Sequence, residues 1–392
     1  MYKTTRTLII GAGPYGIALA NELHHQGEEF VIVGQPFSLW FDHTHGDMPI
    51  RSDWQTSEIY SPDNRYSFKR FIQHQNPQGW QEQLNRRIDG PMFTSYLEQV
   101  RDQLPYQVIT SDVASLCHLN IDAPHEGFVA MLDNGMEIRA RHIVLATGIE
   151  PHRYLPQSLA KLEQNSCIHT WNVADFIGVT GKRILLVGRG QSAAEALAHL
   201  VPNNQVKWVC RKPPKFYNEP INLPAPVFKS LRFLSRIYYY LPKPIHKKLA
   251  AQFVAVTVTP DMAPKVSSVP QVHKDVGELE LTSVFDTNGG PATKGQSGAV
   301  YSATLDEHFD VVVAATGYRY QLNNLIFLSS QLQSSMAARD DECPKVNATF
   351  ESGVDNLYFV GGITEPSHGP AMRFMMGAPY AARTVAKQCR SK

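Results

Sequence analysis

Gly11-Ala12-Gly13-Pro14-Tyr15-Gly16 follows the apolar run Thr7-Leu8-Ile9-Ile10 and leads into Ile17-Ala18-Leu19-Ala20-Asn21-Glu22-Leu23, whose apolar residues have helical spacing. Strand, glycine turn and helix in that order form the unit that holds a dinucleotide pyrophosphate. The first glycine makes the tight turn, the second lets the backbone approach the phosphates, and the third lets helix and strand pack closely. Unpaired N–H groups and the positive dipole end at the helix start then favour an anion. A bare glycine pattern is weak, but the flanking strand and helix strengthen it, and the expected fold class is α/β with a Rossmann-like domain at this end.

Working outward, residues 29–33 read as a second strand that ends at Gly34-Gln35. An Asp or Glu usually stands at this strand end to hold the ribose hydroxyls, and none is present here. The cradle itself is made of backbone and survives, so the ribose must rely on other groups.

A second unit of the same kind begins at Lys182-Arg183-Ile184-Leu185-Leu186-Val187 and continues as Gly188-Arg189-Gly190-Gln191-Ser192-Ala193-Ala194-Glu195. Ala193 holds the third glycine position and is small enough for close helix packing. Its next strand, residues 206–209, ends in Cys210-Arg211-Lys212. An arginine at that place suits a 2′-phosphate, which it can bind in bidentate fashion, although a solvated basic strand end has the same composition.

The strand ending Ala146-Thr147-Gly148 has a counterpart in Asp310-Val311-Val312-Val313-Ala314-Ala315-Thr316-Gly317-Tyr318. Small residues at a strand end allow sharp turns where a chain passes between domains or close to a cofactor. The pair reads as the exit and return of a chain that builds one domain inside another. The expected boundaries are 1–152, the first part of one dinucleotide-binding domain, 153–309, a second such domain inserted into it and carrying a helical insert, and 310–392, the second part of the first domain.

Composition narrows the alternatives. The chain has 392 residues with 43% hydrophobic content and a net charge of +1, enough for two cores and without the charge that recruits nucleic acid. No run reaches the roughly 18 apolar residues of a membrane span, so a cytoplasmic protein is expected. The five cysteines are scattered and odd in number, against a disulfide framework, a zinc site or a CxxC redox pair.

Residues 36–97 lack regular periodicity and carry Trp40, His43, His45, Trp54, Gln55, Tyr60, Tyr66 and Phe68. Such an excursion reads as a cofactor-covering loop or as aromatic packing. His43 and His45 have no third metal ligand nearby in sequence, so no metal site is expected. Further on, a helix is expected over 93–104, a hairpin turn at Asp133-Asn134-Gly135, short strands over 277–309 with a turn at Gly289-Gly290-Pro291, a loop over 339–348, a strand and turn over 356–362 that ends in Gly361-Gly362, and a closing helix over 371–388.

With these pieces assembled, the whole chain resembles the flavin-dependent, class B type monooxygenases that bind FAD and NADPH in two Rossmann-like domains. It is most similar to their N-hydroxylating lysine and ornithine branch, and it also resembles the flavin-containing monooxygenases. The resemblance rests on the two glycine units, on Gln191-Ser192-Ala193-Ala194-Glu195, on Phe216-Tyr217-Asn218-Glu219, on the strand at 310–318 and on Ser367-His368-Gly369. It implies that Gly11, Gly13, Pro14, Gly16, Trp40, Thr147, Gly148, Thr316, Gly317 and Gly361 serve FAD or the crossings beside it. Gly188, Gly190, Gln191, Ser192, Ala193 and Arg211 would serve NADPH, while Gln55, Asn218 and His368 would line the reaction space. The chain departs from the family pattern in two places. Ser166-Cys167-Ile168-His169-Thr170-Trp171 lacks the Phe-x-Gly that precedes the histidine of flavin-containing monooxygenases, and Trp54-Gln55 stand where the amino-acid hydroxylases carry a lysine.

The implied reaction passes a hydride from NADPH to FAD and one atom of molecular oxygen, through a flavin hydroperoxide, to a nucleophilic nitrogen or sulfur of an amine, amino acid or thioether. A flavoprotein reductase or oxidase without oxygen insertion is the alternative, and a non-catalytic nucleotide sensor a third reading. Residues 225–256 alternate basic residues with aromatics and leucines. They read either as a helical insert over the cofactor cleft or, through 225–250, as a membrane contact. The oligomeric state is left open.

Overall fold

The computed structural model describes residues 2–120, 122–162, 166–216, 225–242, 244–246, 258–283, 300–336, 338–339 and 342–391. Strands β1 (Tyr2–Ile10), β2 (Phe30–Val33), β3 (Val108–Ile109), β4 (Val113–His118), β5 (Phe128–Leu132) and β6 (Glu137–Leu145) lie in the order β3-β2-β1-β6-β5-β4. β1 is parallel to both β2 and β6, whereas β4, β5 and β6 form an antiparallel meander. The β5–β6 connection is the expected hairpin, with Gly135 at φ +79° in its turn.

Alternation along β1 sets the layers: Ile9 faces one core and Leu8 and Ile10 the other. Helix α1 (Pro14–His25) covers the first face, and its buried Ile17, Ala18, Leu19, Ala20 and Leu23 leave little of it to solvent. The reason is a second cover: the closing helix packs across α1 and presents buried Ala381, Ala382, Val385, Ala386 and Cys389. Small residues on both sides allow that close approach.

The second sheet contains β7 (Cys167–His169), β8 (Arg183–Val187), β9 (Gln205–Cys210), β10 (Gln271–His273) and, after a small antiparallel sheet of β11 (Leu281–Ser283), β12 (Val300–Ser302) and β13 (Glu307–Phe309), the strand β14 (Val311–Ala314). Its order is β10-β9-β8-β14-β7, all parallel. β14 therefore belongs to the second sheet, and the return crossing follows it at Ala315-Thr316-Gly317, whereas the expected boundary fell before Asp310. The physical reason is register: Val311 through Ala314 pair with Ile184 through Val187 on one side, and Val312 through Ala314 with Cys167 through His169 on the other. A strand saturated on both edges cannot serve another sheet. The chain re-enters the first sheet as β15 (Leu357–Phe359), which pairs with the C-terminal end of β6.

The excursion over 36–97 contains more helix than its sequence suggested. Phe68–Gln75 is helical, with the Ser67 side chain accepting from Arg70 N and with Phe68, Phe71 and Ile72 buried on one face. The helix expected over 93–104 runs over Gly90–Asp102, and Asp89 caps it. The closing segment begins as 3-10 turns at Pro370–Arg373 and Met375–Gly377 before the α-helix Ala378–Ser391. Of the basic and aromatic insert, the helix Ala225–Ile237 packs on the 370–373 and 375–377 turns, with Phe233 60% and Tyr240 71% exposed. The Gly289-Gly290-Pro291 turn lies outside the described residues.

Candidate active site

The two glycine loops have the same construction. Gly11 N donates to Val33 O at 2.8 Å and Gly188 N to Val209 O at 2.9 Å, so each loop is tied to the end of its neighbouring strand. Gly11 (φ +111°) and Gly188 (φ +142°) lie in backbone space that favours glycine, and a Cβ on either would stand 2.2 Å from Ala146 O or Ala315 O. The Ala-Thr-Gly crossings are thus the walls against which the two loops close. Each helix then starts at an extended glycine, Gly13 at φ −78° and Gly190 at φ −86°, with no side chain capping the first turn. Those N–H groups are left to an anion.

The space over Gly13 is open, with no atom within 4 Å of a Cβ built there, which is what a pyrophosphate lying on the backbone requires. Gly16 differs, since a Cβ there would stand 1.9 Å from Gly11 O. Pro14 starts the helix, where its missing N–H costs no hydrogen bond. Gly34 explains the missing ribose acid: it has φ +125°, and a Cβ would stand 3.0 Å from Ala12 N. A carboxylate-bearing residue would be strained there and crowded against the cradle.

Tyr15 gains contacts beside the first cradle that the sequence did not single out. Its hydroxyl contacts Met372 O and Phe374 O at 2.9 Å each, and its ring lies 3.6 Å from a Cβ built on Gly361 (φ +87°). One phenol thereby joins the first loop, the 361–364 turn and the 370–377 turns. Trp40 packs edge-on against Phe93 with 5.6 Å between ring centroids, a core contact of the covering loop. Gln55 lies on the 54–56 turn, which packs against the 375–377 turn.

His368 is fully buried and stacked on Phe350 at 3.8 Å, with Tyr239 of the insert 5.2 Å away. Ser367 Oγ donates to Thr364 O and lies 2.9 Å from His368 Nδ1. Burial pulls the imidazole pKa down to about 4, against an opposing pull from the Ala348 backbone. This geometry makes His368 a neutral packing residue that seats the insert. Asn218 lies outside the described residues, as do Tyr217 and Glu219 of the same motif.

The second cradle is held by a clasp. Gln191 Nε2 donates to Glu195 at 2.5 Å and to Thr259 Oγ1 at 3.0 Å, while Thr259 N donates to Gln191 Oε1 at 2.8 Å. Phe216 and Val258 bridge just beside it, where the chain leaves for the insert and returns. Trp208 Nε1 donates to Gly188 O at 2.6 Å from below. Ser192 is exposed at the helix start and Ala193 fully buried. Arg211 stands at the end of β9, exposed, 3.7 Å from Asp275.

The crossings also bind each other. Tyr154 N donates to Gly317 O at 3.0 Å, Arg319 N donates to His152 O at 2.8 Å, and the Thr316 hydroxyl donates to Tyr154 O. Thr147 and Gly148 (φ +68°) complete the exit from the first sheet. His169 accepts from Trp171 N through Nδ1 and so donates through Nε2 to Gly317 O, both at 3.1 Å. Trp171 stacks on His43 at 3.9 Å. The histidine pair of the sequence is therefore split: His43 turns to Trp171, and His45 gains partners that spacing could not show, Asp47, Glu195 and His199.

Two cradles, one domain inserted in the other and both closed by Ala-Thr-Gly crossings, define the class: a flavoprotein of the flavin-dependent monooxygenase type that uses FAD and NADPH. The family model for L-lysine 6-monooxygenase/L-ornithine 5-monooxygenase matches residues 3–262, and the chain belongs to that family. Among solved structures, ornithine hydroxylase from Pseudomonas aeruginosa is 18% identical with a TM-score of 0.75, covering 99% of each chain. The ornithine N-hydroxylase of Kutzneria sp. 744, in a complex with reduced FAD, NADP+ and L-ornithine, is 17% identical with a TM-score of 0.76 and the same coverage. A probable indole-3-pyruvate monooxygenase of Arabidopsis thaliana is 27% identical over 210 residues, 51% of this chain and 45% of that protein. The chain thus matches less than half the length of that curated relative.

Proposed function

We propose that this protein hydroxylates the nitrogen of a small amine, using FAD, NADPH and molecular oxygen. The observation that supports it most is the duplicated cradle: two uncapped helix starts, each over a glycine loop closed by its own crossing, in a chain of the lysine and ornithine monooxygenase family. When bound, FAD reduced by NADPH supplies the activation of oxygen.

The chain's own residues have three tasks. Gly11 through Gly16 hold one pyrophosphate and Gly188 through Ala193 the other, with Arg211 at the 2′-phosphate of NADPH. Tyr15 fixes the 370–377 turns, and the insert helix Ala225–Ile237 lies over them, so that water is kept from the reacting centre. Gln55, held on a turn packed against 375–377, lines the substrate space, and Asn218 is assigned to the same space by its family motif alone. Because Trp54-Gln55 replace the lysine of the amino-acid hydroxylases, an amine other than ornithine or lysine is the favoured substrate.

The test follows NADPH oxidation by the FAD-loaded protein against hydroxylamine formation, under labelled oxygen, with diamines, amino acids and thioethers. One labelled atom in an amine product, at one product per NADPH, is expected. NADPH consumption recovered entirely as hydrogen peroxide with every compound would replace the proposal with an NADPH oxidase, and a labelled sulfoxide would move it to sulfur.

A further inference from the structure

We infer that His45, Asp47 and His199 form a site for a divalent transition-metal ion at the seam between the two nucleotide-binding domains. His45 and Asp47 come from the loop that follows the first cradle, and His199 lies in the last turn of the helix Gln191–Leu200 that starts at the second. Each offers one ligand atom, and the three atoms lie within 4.8 Å of one another. His45 Nδ1 is 2.7 Å from Asp47 Oδ1, and His199 Nε2 is 3.7 Å from that oxygen. At zinc bond lengths of about 2.0 Å, tetrahedral ligands stand roughly 3.3 Å apart, and the two separations bracket that value.

A second observation points to a metal and not only to a polar cluster. His45 Nε2 is buried and faces Glu195 Oε2 at 3.3 Å. A metal on Nδ1 forces the proton onto Nε2 and draws it toward this carboxylate, the arrangement that orients most metal-bound histidines. Glu195 is itself held by Gln191. Asp47 is 71% exposed, so the ion has an entry path and room for a water as fourth ligand. Two imidazoles and one carboxylate select zinc, cobalt or nickel over magnesium or calcium, which prefer all-oxygen shells. The bound ion would tie the first domain's loop to the helix whose far end carries the NADPH cradle.

The test uses FAD-loaded, tag-free protein stripped with a chelator, titrated with Zn2+ in a calorimeter and with Co2+ by visible absorption. One ion per chain is expected, with tetrahedral or five-coordinate cobalt bands and a higher thermal midpoint in zinc. His199→Gln, at a partly buried position, and Asp47→Asn, at an exposed one, should each lower affinity at least tenfold and abolish the thermal shift. His74→Gln, at an exposed histidine elsewhere, should change neither. Flavin content and circular dichroism show whether each variant is folded. Absence of binding at 100-fold molar excess, or wild-type affinity in both folded variants, overturns the site.

Discussion

The first and second glycine cradles share a fold and differ in how tightly the helix sits on its loop. In the first, Gly16 leaves no room for a methyl, because its Cβ would stand 1.9 Å from Gly11 O. In the second, Ala193 occupies the matching position fully buried, and Gly188 O accepts instead from the Trp208 indole. The second strand ends differ in the same sense: Gly34 presses on the loop, whereas Arg211 stands in solvent beside Asp275. One cradle is compact and reads nothing beyond the phosphates with its strand end. The other is looser and exposes a cation, the one proposed to read the 2′-phosphate of the coenzyme.

The first cradle is the more sensitive of the two to added bulk. Gly16→Ala, although it only copies the residue native to the second cradle, should cost about 3 kcal/mol or more, because backbone must move to admit the methyl. Thermal unfolding and flavin content should both fall. Gly13→Val separates fold from function, since its side chain enters open space. This variant should stay folded by circular dichroism and hold no FAD, and a flavin-replete Gly13→Val protein would show that the loop does not contact the pyrophosphate.

Acid should also act on the buried His368 and His152. Burial holds His368 and His152 at about 4, below the roughly 6.5 of an unfolded histidine. Between those values the unfolded chain binds protons that the folded chain does not. Stability is therefore complete above about pH 6.5, falls as pH drops toward 4, and flattens below, by on the order of 3 kcal/mol for each histidine. His368→Phe, which preserves the stack on Phe350, should remove one proton from the slope of denaturant midpoint against pH.

On the looser side, Arg211→Ala should raise the Michaelis constant for NADPH roughly ten- to a hundredfold, the worth of one charged hydrogen bond, and leave NADH and flavin content unchanged. Lys212 shares the strand end, so the double variant gives the fuller effect. Equal losses with both coenzymes would remove this strand end from the site. The smallest effect is expected for Ala193→Gly, which restores the consensus glycine in the second cradle. It should cost only about 0.5–1 kcal/mol in the thermal midpoint, the ordinary penalty for glycine in a helix, with NADPH binding kept.

Much of the two strand–turn–helix units is legible in the chain because it is local. A strand, a glycine turn and a helix are fixed by neighbours in sequence, so residue order suffices to place both cradles, the Asp133-Asn134-Gly135 hairpin and the Ala-Thr-Gly crossings. The Phe68–Gln75 helix is also written there, in the Ser67 cap and the i, i+3, i+4 spacing of Phe68, Phe71 and Ile72, but aromatic density hides it. His368 is legible as part of a motif and not as a buried group, since burial depends on Phe350 and on Tyr239 of the insert, both far away in sequence.

The sequence by itself determined that two dinucleotide cradles exist, which glycines make them and that one strand end carries an arginine, because backbone conformation and strand pattern are set by nearest neighbours. Only the tertiary structure decided that β14 belongs to the second sheet, that Gly34 has no space for an acid, that Tyr15 locks the C-terminal turns, and that His45 leaves His43 to meet Asp47, Glu195 and His199. Each of these depends on which distant backbone or side chain comes within a few ångströms, and spacing along the chain holds no record of that.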